Sequence, residues 1–142
     1  MDILHFNLLA PICYVPLTDA DPFDYSDGMG DSLFCFELDK SQCQSIEPDA
    51  TTLLGPLVFG GKAAPEEEGS MSEKSGLLEL PNGHYLFAQE RELLCRDAII
   101  TMALEIQKEG LWQRLKIGEK LYLRYLFEDG SAVTQLFRPY TG

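Results

Sequence analysis

The sequence predicts an α+β fold, a mainly antiparallel β-sheet packed on one long helix. Three observations carry this. Short runs with alternating apolar residues recur along the chain, the signature of half-buried strands. One uninterrupted segment, from about Glu90 to Glu109, has helical apolar spacing and no proline. Turn-forming pairs, above all Asp129-Gly130, join apolar runs at hairpin distance. At 142 residues the chain reads as a single domain, long enough to bury its own core.

In chain order, residues 2–9 place Leu4, Phe6 and Leu8 on one face and His5 and Asn7 on the other, a strand pattern. Ile12 to Leu17 is β-branched and aromatic, with Pro16 confining it to an edge or a strand end. Thr18 to Asp31 is rich in aspartate and glycine and reads as a loop. Ser32 to Leu38 reads as a strand and Leu57-Val58-Phe59 as a short one, while Glu47-Pro48-Asp49 suits the first turn of a short helix. Residues 62–76 lack apolar periodicity and read as a flexible loop. From 77 to 142 the expected order is β-β-α-β-β. Leu77–Leu80 and His84–Gln89 form a hairpin through Pro81-Asn82-Gly83. The helix starts at about Glu90 with Glu90 and Glu92 in its first turn, has Lys108 in its last, and stops at Gly110. Glu119–Glu128 and Ser131–Arg138 form the final hairpin. Its two-residue turn sets Tyr122 opposite Phe137 and Leu126 opposite Val133 on one surface, with Leu123–Leu136 and Phe127–Ala132 on the other.

Charge divides the chain unevenly. Residues 1–76 hold fourteen Asp/Glu against three Lys, and residues 77–142 hold nine against eight, giving a formal net charge of −12. The chain is thus an acidic β-rich section (1–61), the loop (62–76) and a nearly neutral ββαββ section (77–142). A pI near 4.4 opposes sequence-independent binding to nucleic acid and to anionic membranes, since both need excess Lys and Arg. Met1 to Leu9 lacks the basic start of a signal peptide, and no apolar run is long enough for a membrane span. The expected location is cytoplasmic, with Cys13, Cys35, Cys43 and Cys95 as reduced thiols.

Candidate chemistry is thin. The carboxylates Asp19, Asp21, Asp24, Asp27 and Asp31 do not follow the spacing of a calcium-binding EF-hand loop, because from Asp19 the sixth position is Asp24 and the twelfth Gly30. Asx turns in a solvated loop account for them more simply than an oxygen-ligand site. Cys95 has Arg91 and Arg96 nearby, but its angular position falls inside the helix's apolar stripe, so it is expected to pack as a small hydrophobe. His5 and His84, the two histidines, assemble no nucleophile–base set with it. Gly60-Gly61-Lys62 lacks phosphate-loop spacing. The sequence predicts no cofactor, no metal site and no enzymatic activity.

The strand–helix–hairpin order over residues 84–138, entered through L-P-N-G-H-Y, is similar to one βαββ unit of the gyrase-inhibitor-like small-molecule-binding domains. Two such units pair in that family around a cleft for amphipathic cations, with a glutamate inside. Here Asn82 stands where a small residue is usual, no second unit precedes, and no strand-interior glutamate is evident. The resemblance implies an aromatic ligand pocket at Tyr85, Trp112, Tyr122 and Tyr125. The leading expectation is different: a non-enzymatic interaction protein. Its acidic loop (Asp19, Asp21, Asp24, Asp27, Asp31) would meet a basic protein partner, and its surplus apolar surface would be covered by that partner or by a second copy in a homodimer.

Overall fold

A computed structural model describes residues 2–16, 22–23, 31–39, 41–43, 53–63 and 78–141. Its elements are β1 (Leu4–Leu8), β2 (Ile12–Pro16), β3 (Ser32–Leu38), β4 (Leu54–Ala63), β5 (Leu78–Leu80), β6 (Gly83–Glu90), α1 (Arg96–Trp112), β7 (Lys116–Ile117), β8 (Lys120–Glu128) and β9 (Ser131–Thr141). The strands pair antiparallel in the order β1-β6-β9-β8-β3-β4-β2-β5, with β7 added beside β9. The α+β class with one long helix therefore holds. Residues 17–21, 24–30, 44–52 and most of 62–76 lie outside the described residues, and with them the expected turn at Glu47-Pro48-Asp49.

Two strand pairs close the sheet. β1 pairs β6 from Leu4↔Phe87 to Leu8↔Gly83, and β2 pairs β5 from Ile12↔Leu80 to Tyr14↔Leu78. β1 runs into β2, and β5 into β6, so each couple acts as one long bent strand. Four steps separate Leu8 from Ile12 but only three separate Gly83 from Leu80. The extra residue falls in the unpaired bend between the two pairings, where Pro11 and Pro81 have no amide proton to leave unsatisfied. The far edges of β6 and β2 go to β9 and β4, so the sheet curls back on itself like a barrel. This corrects the hairpin expected at Pro81-Asn82-Gly83: β5 and β6 do not pair, because their partners are the two halves of the N-terminal strand.

The inner face is filled by Tyr14, Leu33, Cys35, Leu80, Tyr85, Phe87, Tyr122 and Phe137. Rings on strands that are not neighbours meet here, Tyr85 with Tyr122 at 6.2 Å and Phe59 with Tyr122 at 6.5 Å between centroids, in keeping with a concave surface. The other face carries Phe34, Phe36, Leu86, Leu121, Leu123 and Leu136, and α1 covers it with Ile99, Met102, Ala103 and Ile106. These helical positions, with Gln107 and Gly110, follow one stripe of period 3.6. The β8–β9 hairpin matches its expected register at all four named pairs. Asp129 (φ 53°) and Gly130 (φ 78°) both take the positive φ that this turn requires.

The helix differs from expectation at both ends. It begins at Arg96 because Glu90 stays paired with Thr134, and the Thr134 hydroxyl ties down residues 92–94. That hydroxyl donates to the Glu92 carbonyl (2.7 Å) and accepts from the Leu94 amide (3.3 Å). Glu90 and Glu92 therefore precede the helix, and Cys95 is its exposed N-cap instead of a buried stripe residue. At the other end the helix runs through Gly110 to Trp112, which leaves Lys108 outside the last turn. Gly110 is needed for close approach: a Cβ there would lie 2.7 Å from Ile117 Cγ2 and 2.9 Å from Leu86 Cδ1. The stop comes from Arg114 at φ 60°. Its amide bonds to Leu111 O (3.1 Å) and that of Leu115 to Gly110 O (3.0 Å), the Schellman pattern with arginine in the usual glycine place.

Candidate interaction face

The end of α1, the residues before β1, and β1 itself meet at one corner. β1 has β6 on one side and, among the described residues, no partner on the other. Its alternation puts Leu4, Phe6 and Leu8 toward one side, where Phe6 packs on Phe87 (5.5 Å) and Phe137 (5.7 Å). Leu4 is still 55% exposed and Phe6 37%. No charged residue or proline lies within Leu4–Leu8, although such residues are the usual protection of a strand edge. Leu9, at the bend, is 84% exposed.

A relay of hydrogen bonds fixes this strand to the rest. Gln113 Nε2 donates to Glu109 (2.8 Å), which turns Gln113 Oε1 toward His5. His5 Nε2 then carries the ring proton and donates to that oxygen (2.7 Å), while His5 Nδ1 accepts from the Tyr140 hydroxyl (2.7 Å). Tyr140 stands between the two histidines, 5.4 Å from the His5 ring and 5.9 Å from that of His84. β1, the end of β9 and the helix C-terminus are thus joined through the side chain of one residue.

Beside the relay a groove of about 690 Å³ is lined by Ile3, Glu105, Lys108, Glu109, Leu111, Trp112 and Arg114. Glu105, Lys108, Glu109 and Trp112 fall on one outer stripe of α1 by their spacing of three and four. Trp112, the single tryptophan of the chain, is 81% exposed. Two acids and two bases leave the groove walls without a net sign.

The tyrosines expected to share a pocket with Trp112 are elsewhere. Tyr85 and Tyr122 are buried in the inner face, and Tyr125 is buried on the helix side, its hydroxyl donating to the Pro22 carbonyl (2.7 Å). Strand alternation separates Tyr122 from Tyr125, three residues apart, so no single cavity holds all four aromatics. Burial pushes the Tyr85 phenol up to about 12 and that of Tyr122 higher still. Of the five aspartates of the expected acidic loop, Asp31 alone is described. Its carboxylate takes both Arg124 Nε (3.1 Å) and Nη2 (2.8 Å), together with the Tyr14 hydroxyl (3.1 Å). Asp19, Asp21, Asp24 and Asp27 lie outside the described residues. His5, Tyr140, Ile3 and Gln113 had no signal in the sequence, since pairs more than a hundred residues apart leave no local pattern.

No known protein-family model matches the chain, and no curated protein matches it significantly.

Proposed function

We propose that the protein is a non-enzymatic interaction module, and that the corner formed by β1 and the Trp112 groove is its docking face. One observation carries the reading: a largely exposed tryptophan lines a groove that includes Ile3, the residue before a strand whose outer edge has no partner among the described residues. Tryptophan is enriched at the energetic centres of protein interfaces. A bare edge offers backbone donors and acceptors that an added strand satisfies. The acidic character of the chain joins this reading as a source of long-range attraction. The aromatic-pocket alternative has weaker support, since its four residues are dispersed over three sites.

Panning a random peptide library on the wild-type protein and on its Trp112→Ala and Leu4→Lys variants tests the proposal. Both positions are exposed, so unfolding free energies from urea titration should stay within about 0.5 kcal/mol of wild type. Ligands should be recovered by the wild-type protein and lost with either variant. Equal recovery by all three proteins would refute the docking face.

A further inference from the structure

We infer that the occupant of this face is an extended basic segment of another protein, added to β1 as a strand; the inference rests on the docking face just proposed. Three features select this chemistry. First, β1 is held ready, with both ring nitrogens of His5 already engaged, so a partner meets an ordered edge. Second, the side chains alternate. An incoming strand that places apolar residues beside Leu4 and Phe6 extends an aromatic row already built on Phe87 and Phe137. Its intervening residues then fall on the side of His5 and Asn7, which is polar. The partner therefore needs alternation of apolar and polar residues without proline.

The third feature is charge. Groove walls of balanced sign select nothing, so the field of the whole chain, −12, decides which polar residues are welcome. Lysine and arginine are attracted and carboxylates repelled. The same field opposes a second copy, because two chains of net charge −12 repel each other at long range. A basic strand gains backbone pairing, apolar contact and steering at once.

Two peptides of about ten residues test this, one alternating valine with lysine and the other valine with glutamate. Trp112, as the single tryptophan, reports on the groove by fluorescence without labelling. Amide hydrogen exchange over Leu4–Leu8 reports on the edge. The lysine peptide should shift Trp112 emission to shorter wavelength and slow exchange at Leu4–Leu8. Its affinity should fall by about tenfold or more from low salt to about 0.3 M. The glutamate peptide should do neither. Equal protection of Leu4–Leu8 by both peptides would overturn the basic partner and leave the docking face standing. Binding of the lysine peptide without protection there would overturn strand addition, and failure of both peptides to bind would overturn the inference. A protein that is dimeric by light scattering at low and high salt, with Leu4–Leu8 already protected, would assign the edge to a second copy and overturn it as well.

Discussion

Replacing Arg138 by methionine should leave the protein almost as stable as before, although a fully enclosed charge is removed. Arg138 is 0% exposed and lies in the layer between α1 and the sheet. Its Nε donates to Gly118 O (2.7 Å) and its Nη1 to Gln107 Oε1 (3.0 Å), while Nη2 is buried with no hydrogen-bond partner among the described residues. Burial pulls the guanidinium down to about 10, well below its ordinary value, with Cys43 as a partial offset. That depression corresponds to about 3 kcal/mol of unrecovered desolvation at neutral pH. Methionine removes this penalty and keeps most of the volume. It also removes the hydrogen bonds that Arg138 gives to Gly118 O and Gln107 Oε1, at about 1–2 kcal/mol each. The two effects nearly cancel, so Arg138→Met should fall within about 1 kcal/mol of wild type at pH 7.

Urea unfolding followed by circular dichroism measures the difference, with an unchanged slope confirming that the native state is comparable. The pH dependence provides a second arm. Below pH 10 both folded and unfolded wild-type chains carry the proton, and the penalty is present in full. Above 10 the folded chain releases it first, the unfolded chain binds more protons, and stability rises relative to the variant. Wild type should gain roughly 1 kcal/mol on Arg138→Met by pH 11. The buried tyrosines also titrate there, but equally in both proteins, and cancel from the comparison. A loss of about 4 kcal/mol or more at pH 7, with no relative gain in alkali, would refute the reasoning by showing a compensated charge.

Three further outcomes are expected. Gly110→Ala gains about 1 kcal/mol of helix propensity but forces a methyl into Ile117 and Leu86. Overpacking costs of about 1–3 kcal/mol should win, and a raised melting temperature would contradict the packing described. Arg114→Gly removes the strain of a side chain at φ 60° and should stabilise by about 1 kcal/mol, seen as a melting temperature higher by about 3 °C; no change would remove the Schellman argument. Asp31→Asn leaves the half-enclosed Arg124 guanidinium without its paired carboxylate and should cost about 1–2 kcal/mol in chemical denaturation. A cost below about 0.3 kcal/mol would show a solvated pair.

Legibility in the sequence depended on distance along the chain. β3 was readable to the residue, and the β8–β9 register to every named pair, because Asp129-Gly130 and the alternation around it are local signals. The helix was readable as an element but not at its ends. Thr134 holds residues 92–94 out of the helix from forty residues away, and Gly110 serves Ile117 and Leu86 where the sequence predicts a terminator. Pro81-Asn82-Gly83 resembled a hairpin turn in composition. The residues that decide against it are in β1 and β2, and nothing near position 82 encodes them. The candidate face was half readable. Trp112 stood out by type, but its neighbour Ile3 and the His5 relay come from the far end of the chain.

The bent seam bears on how the chain is made and how it can be divided. β1 and β2 acquire their seam partners only when residues 78–90 arrive, so the barrel cannot close during synthesis of the acidic half. Such non-local pairing gives a high contact order and slow folding, and leaves Leu4, Phe6 and Leu8 uncovered on the nascent chain in the interval. The boundary between acidic and neutral composition is therefore no line of separation. Fragments cut there would each keep one half of an interlocked pair, and should recover the native spectrum only when mixed.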